Sequence, residues 1–143
     1  MQARMLATFA MMIVVPIVGC NTDDKGLIPI SVTVTFDGGP PPAPGIVQFM
    51  PLETASGGTK RSALGRFDTD GQYSASSFLP DDGLYPGKYA VMIVCNKGDL
   101  DYSKKDPFRD VSYIADGYKG QELVVEADSD EVTLNLDVPL KKG

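Results

Sequence analysis

The chain has 143 residues, of which 43% are hydrophobic, and this is enough for one domain with a real core. It carries 19 acidic and 13 basic residues, for a formal net charge of −6, and so acidic a surface disfavours nucleic acid as a partner. Histidine is absent from the sequence, which removes the commonest general base and the commonest transition-metal ligand.

The first twenty residues predict a cleavable signal peptide. A short, weakly basic start is followed by an uncharged apolar stretch over residues 5–18. These 14 residues are too few to cross a hydrocarbon core of about 30 Å as a helix, but they suit the apolar region of a signal peptide. A buried core helix is the alternative, although the stretch is apolar all round and has no polar face. We therefore predict a signal helix over residues 1–19.

The end of this stretch, Ile17-Val18-Gly19-Cys20, resembles the lipobox of bacterial lipoproteins. The resemblance implies that Cys20 becomes the first residue of the mature protein and carries a thioether-linked diacylglycerol. Two or more acyl chains hold a protein stably on a membrane. We therefore expect a membrane-anchored lipoprotein of the cell envelope, facing the periplasm or the cell exterior, with residues 20–27 as a polar tether.

The rest of the chain shows strand patterns. In residues 28–36, large aliphatic and aromatic residues alternate with proline, serine and threonine, a period of two. Turns rich in Gly, Pro or Asp separate this segment from later ones. The other predicted strands are 46–50, 63–69, 72–78, 88–95, 121–126 and 131–138. Together they predict an all-β fold, a seven-stranded antiparallel β-sandwich over residues 28–139.

Local patterns also predict which strands are neighbours. Asp70-Gly71 is a favoured two-residue hairpin turn, so the strands 63–69 and 72–78 are expected to pair. The strands 121–126 and 131–138 are expected to form a last hairpin. Residues 88–95 are apolar on both faces, which predicts a central strand covered from both sides.

Several of these segments, in this order, resemble small bacterial lipoproteins with a carboxypeptidase-regulatory-like (transthyretin-like) domain. They are SVTVTFDGGP, GIVQFMP, FDTDGQYSASSF and DGLYPGKYAVMIV, and QELVVEADSDEVTLNLDV is similar to the closing hairpin of that family. The resemblance implies a non-enzymatic β-sandwich module without a cofactor. The GGPPPAP turn and residues 96–118 depart from the family pattern.

Residues 96–118 form a predicted loop of 23 residues, unusually long for a compact domain. It places four aromatic residues among charged ones: Tyr102, Phe108, Tyr113 and Tyr118. Loops on a rigid scaffold often carry binding sites, so these rings are candidates for binding a glycan or an envelope protein. The alternative is that they fold back and cap the edge of the sandwich.

The remaining candidate sites are acidic residues and one cysteine. Carboxylates are good calcium ligands, which makes Asp68, Asp70, Asp81 and Asp82 weak calcium candidates. Asp-Gly is also favoured in turns for backbone reasons, and we prefer the interpretation that these aspartates form turns. Cys95 has no partner once Cys20 is lipidated, so we predict a buried free thiol.

No catalytic residues are predicted. A reactive cysteine needs an activating base or a positive neighbourhood, and the chain has no histidine to act as that base. An enzyme that uses paired carboxylates is the remaining catalytic hypothesis, and it requires two acids about 5 to 9 Å apart in a cleft.

Overall fold

A computed structural model describes residues 26–54 and 60–142, with Thr54 described by its backbone alone. The predicted signal helix, Cys20 and most of the tether lie outside these residues. The described part is mostly β-structure, with one short helix. Its elements are β1 (Ile30–Phe36), β2 (Gly45–Thr54), β3 (Ala63–Phe67), β4 (Gln72–Ser74), β5 (Gly87–Cys95), α1 (Pro107–Val111), β6 (Gln121–Val125) and β7 (Val132–Val138). No helix among these residues is both long and apolar enough to cross a membrane.

Two sheets enclose one hydrophobic core. One sheet has the strand order β4-β1-β7, and the other has the order β3-β2-β5-β6. The core forms because alternate residues of a strand point to the same face, and in β1 every second residue from Ile30 to Phe36 is buried. Both sheets contribute to the same cluster, with Tyr89, Phe49 and Phe67 as its largest fully buried side chains. The all-β prediction is thus supported at the level of two packed sheets.

The pairing of β1 with β7 is parallel, over the register from Ile30–Val132 to Phe36–Val138. The expectation of a purely antiparallel sandwich is therefore wrong at this pair. The physical reason lies in the path of the chain, which reverses direction at each connection. When the first and seventh strands of such a path become neighbours, they must point the same way.

Neither predicted hairpin forms a ladder, although both turns form. The segments 63–69 and 72–78 share a single antiparallel bridge, between Leu64 and Ser76. Gly71 donates to the carbonyl of Asp68 at 2.9 Å, but the chain then crosses to the other sheet, where β4 pairs with β1. A similar turn follows β6, and β7 joins β1 instead of β6. Turn chemistry is local and fixes a reversal of direction, whereas the sheet that the next strand joins depends on the whole fold.

The prediction that β5 is a central strand covered on both faces is confirmed in part. The strand is central, between β2 and β6, but Met92 and Val94 on its outer face are exposed. The strand is therefore covered on one face only.

The sandwich has two ends that matter for function. The N-terminal end contains residues 26–29 and the β4–β5 and β6–β7 connections, because β5 and β7 both begin there. The far end contains the β1–β2, β3–β4 and β5–β6 connections, so the long loop lies away from residues 26–29.

Candidate binding groove

Backbone hydrogen bonds fix the long β5–β6 connection to the sandwich. Tyr113 donates to the carbonyl of Cys95 at 2.9 Å, and Lys97 donates to Val111 at 2.7 Å. On the other side, Lys141 donates to Tyr113 at 2.8 Å, which ties the loop to the C-terminal segment. Within the loop, the Asp106 carboxylate caps α1 by accepting from the Arg109 amide at 3.1 Å. The connection predicted as an irregular loop is therefore an ordered platform around a short helix.

The structure divides the four predicted aromatic residues into two pairs. Tyr113 and Tyr118 are partly buried and pack against the core, as in the capping interpretation. Tyr102 and Phe108 are 76% and 62% exposed. Phe108 and Tyr118 line a common groove, whereas Tyr102 and Tyr113 do not line it. The four rings therefore do not form one binding surface.

This aromatic groove has a volume of about 340 Å³ and lies between the loop and the far half of β5. It exists because β6 pairs with β5 only from Gly87 to Val91, so the loop flanks the rest of the strand. Its walls combine apolar and charged side chains. The ones that define it are Met92, Phe108, Arg109, Ile114, Asp116 and Tyr118.

The polar part of the aromatic groove is a two-point ion pair. Arg109 Nε and Nη2 lie 3.1 Å and 2.7 Å from the two carboxylate oxygens of Asp116. Lys141 Nζ lies 3.7 Å from the same carboxylate and donates to the carbonyl of Arg109 at 2.8 Å. The hydrogen bond from Arg109 lowers the pKa of Asp116, so both groups are charged at neutral pH. A fixed, fully charged pair suits hydrogen bonding to a polar ligand better than proton transfer.

Sequence reasoning missed Met92, Arg109 and Asp116 as groove residues. Met92 belongs to a strand that was expected to be covered on both sides. Arg109 and Asp116 are seven residues apart in a segment with no regular period, so nothing in the sequence indicates that they pair. The density of charge in residues 96–118 was the one available signal.

The four calcium candidates lie on the two turns that flank β4. The Asp70 carboxylate accepts from the Gln72 amide at 3.0 Å, and the Asp68 carbonyl closes the turn at Gly71. On the second turn, the Asp82 carboxylate accepts from three backbone amides. No three Cys, Asp or Glu side chains of residues 26–54 and 60–142 are grouped so that they could hold a metal ion. The geometry thus gives calcium binding no support and assigns Asp70 and Asp82 to turn formation.

Cys95 is buried at the end of β5 and forms no disulfide within the described residues, in agreement with the prediction of a buried free thiol. Its thiol donates to the carbonyl of Ala43 at 3.3 Å. Burial raises the pKa of this thiol and outweighs the opposing effect of that contact. The reactive thiolate form is consequently rare at neutral pH.

The carboxylates of the described residues are exposed, apart from the half-buried Asp82. They therefore provide no enclosed pair of acids for the catalytic hypothesis. No protein-family model matches the chain, and no curated protein or solved structure matches it.

Proposed function

We propose that the protein is a non-catalytic lipoprotein of the bacterial cell envelope, in which a lipid on Cys20 holds a module for binding or structural support at the membrane surface. The observation that carries this proposal is the tetrapeptide Ile17-Val18-Gly19-Cys20 directly after the apolar residues 5–18. The abrupt change to the polar NTDDKG fits a mature N-terminus that leaves the membrane at once.

The proposal includes the finer fold assignment. A signal helix over residues 1–19 precedes a seven-stranded sandwich of the carboxypeptidase-regulatory-like (transthyretin-like) type over residues 28–139. The two packed sheets and the single core are compatible with this assignment. The parallel pairing of β1 and β7 is a specific feature that a member of this type must accommodate.

The non-catalytic part rests on how the reactive groups are used. Asp70 and Asp82 accept backbone hydrogen bonds, and Asp116 is held by Arg109. Burial raises the pKa of the Cys95 thiol and keeps it protonated. These side chains therefore have structural roles. The exposed aromatic groove at the far end is the feature that we assign to binding.

The test compares the wild type with Cys20→Ser by membrane fractionation and mass spectrometry of the N-terminal peptide. We expect a lipid-modified peptide beginning at Cys20 in the wild type, and a Cys20→Ser variant that leaves the membrane fraction or keeps its signal peptide. Cys95→Ala is the matched control, because it removes the other cysteine and should leave the lipid in place. An unmodified Cys20 in the wild type would overturn the proposal.

A second candidate function is binding of carbohydrate or cell-wall glycan through the aromatic groove. The observation that favours it is the position of two rings, Phe108 and Tyr118, beside the Arg109–Asp116 pair. An aromatic face and fixed planar hydrogen-bonding groups together match the apolar and hydroxyl faces of a sugar ring.

Pull-down with peptidoglycan and a panel of oligosaccharides tests this second function. Phe108→Ala should reduce retention strongly, whereas Tyr102→Ala is the control, since Tyr102 is even more exposed but lies outside the groove. Retention that is equal in both variants would exclude the groove as the binding site.

A further inference from the structure

The turn between β4 and β5 displays two apolar side chains at the N-terminal end of the sandwich. Leu79 is 63% exposed and Phe78 is 39% exposed, and we call this pair the apolar tip. The same connection is hydrogen-bonded to the N-terminal segment, because Ile28 and Leu84 exchange backbone bonds of 2.7 and 2.9 Å. The apolar tip therefore projects from the part of the domain where the tether enters.

The turn that carries the apolar tip is held rigidly. The carboxylate of Asp82 accepts from the amides of Ser77, Phe78 and Leu79 at 2.6, 2.9 and 2.9 Å. In addition, the Ser77 hydroxyl donates to the carbonyl of Gly83 at 2.6 Å. Exposure of Leu79 is thus built into the turn and is not the result of a frayed loop.

A cation accompanies the apolar tip. The guanidinium of Arg61 lies 4.1 Å from the centroid of the Phe78 ring, and its Nε donates to the carbonyl of Ser77 at 2.7 Å. Arg61 is exposed, and a guanidinium carries further N–H donors. An apolar residue with a neighbouring basic group is the combination that anchors proteins at the boundary between headgroups and acyl chains.

We propose that the apolar tip inserts into the lipid leaflet that holds the acyl chains of Cys20. The inference rests on the lipid anchor proposed above. Residues 21–27 reach at most roughly 25 Å when fully extended, so the anchor keeps Ile28, and with it the tip, close to the bilayer. Tethering makes even weak insertion effective, because the local concentration of membrane is high. The net negative charge of the chain indicates a zwitterionic lipid surface as the partner.

This contact gives the domain a defined orientation. β5 runs from the N-terminal end to the far end, and its nine residues span about 30 Å at 3.3 Å each. With the apolar tip in the headgroup region, the aromatic groove faces away from the membrane. The groove is then open to partners in the surrounding compartment.

The experiment uses the full lipidated protein in vesicles of phosphatidylethanolamine and phosphatidylcholine, with and without brominated acyl chains. A thiol-reactive fluorophore is placed by Leu79→Cys and, as the far-end control, by Tyr102→Cys. Cys95 is buried and Cys20 is lipidated, so mass spectrometry should show one label per chain. We expect a blue shift and at least twofold quenching at residue 79, and neither change at residue 102.

A second measurement needs no label. Leu79→Asp should increase the rate of transfer of the lipidated protein between vesicles about tenfold or more. The reason is that the variant loses the free energy gained by burying the leucine side chain in the lipid. Val94→Asp is the control, since Val94 is exposed on the outer face of β5.

The outcomes separate this inference from the lipid anchor. A lipidated Cys20 with an unquenched probe at residue 79 and unchanged transfer of Leu79→Asp overturns the inference alone. Equal quenching at residues 79 and 102 overturns the upright orientation. A Cys20 without lipid overturns the anchor, and the inference falls with it.

Discussion

The ring of Tyr73 in β4 lies directly on the backbone of Gly65 in β3, so closely that a Cβ at Gly65 would be 1.4 Å from Tyr73 Cε2. The two strands belong to different sheets. The contact therefore closes one side of the sandwich, and the missing side chain of Gly65 is what allows the ring to enter. Phe49 lies next to this ring, with centroids 6.5 Å apart.

Gly65→Ala should destabilise the domain, because the added methyl group requires the Tyr73 ring to move. Overpacking of this kind costs about 1 to 3 kcal/mol in the free energy of unfolding. Urea denaturation followed by tyrosine fluorescence measures the effect. Gly98→Ala is the control, since nothing lies within 4 Å of a Cβ at Gly98. If the two variants were equally stable, the packing of Tyr73 on Gly65 would be disproved.

The hydroxyl of Tyr73 is buried and has no hydrogen-bond partner among the described residues. Burial also raises the pKa of Tyr73, so the group stays protonated. Because an unpaired buried hydroxyl costs about 1 to 3 kcal/mol, Tyr73→Phe should leave stability unchanged or increase it.

Tyr89→Phe is the matched comparison for this prediction. The Tyr89 hydroxyl donates to the carbonyl of Tyr85 at 2.8 Å, so its removal should cost about 0.5 to 1.5 kcal/mol. Thermal unfolding of both variants gives the sign of each change. A loss in Tyr73→Phe as large as that in Tyr89→Phe would indicate a partner for the Tyr73 hydroxyl.

The Asp82 carboxylate should make the stability of the domain depend on pH. Partial burial acts to raise its pKa, but the amide hydrogen bonds from Leu79, Ser77 and Phe78 together outweigh burial and lower the pKa. A group whose pKa is lowered by folding contributes stability above its unfolded pKa of about 3.9 and loses it as the pH falls through the folded value.

Asp82→Asn should therefore be less stable than the wild type at pH 7, by roughly 1 to 3 kcal/mol, because the amide NH2 cannot accept from Phe78 and Leu79. The deficit should shrink between pH 5 and pH 2. Chemical denaturation at several pH values measures it, with Asp128→Asn in an exposed turn as the control. A deficit that stays constant down to pH 2 would rule out the carboxylate as the cause.

Local sequence patterns predicted the positions of the strands and turns, but they did not predict which strands pair with each other. The alternation in residues 28–36 identified the buried face of β1, since a period of two is a property of the strand itself. The turn at Asp70-Gly71 forms for equally local reasons. Pairing of β1 with β4 and β7 joins residues that are distant in the chain, and no local pattern contains that information.

The candidate groove was accessible from the sequence only in outline. Aromatic residues in a long polar loop indicated a binding surface, and Phe108 and Tyr118 do line the groove. Tyr102 and Tyr113 lie outside the groove because of the way the loop folds against β5 and Lys141. The Arg109–Asp116 ion pair also results from the tertiary fold of the loop, and the spacing of the two residues in the sequence does not predict it.

This pair leads to the last prediction, which concerns the rigidity of the loop. Asp116 holds Arg109 through two hydrogen bonds and lies 3.7 Å from Lys141 Nζ, so it joins α1 to the C-terminal segment. Asp116→Ala should release the side chain of Arg109 and increase tryptic cleavage after Arg109 several-fold. Mass spectrometry of the peptides during limited digestion measures the rate.

The midpoint of global unfolding should hardly change in Asp116→Ala, because Arg109 and Asp116 are exposed, Lys141 is only half-buried and the opening is local. Asp99→Ala serves as the control, since it removes an exposed carboxylate from the same loop. Raising the salt concentration should speed cleavage of the wild type towards the rate of Asp116→Ala, because salt screens exposed ion pairs. Cleavage after Arg109 that is equally slow in both variants would show that backbone hydrogen bonds alone hold the loop.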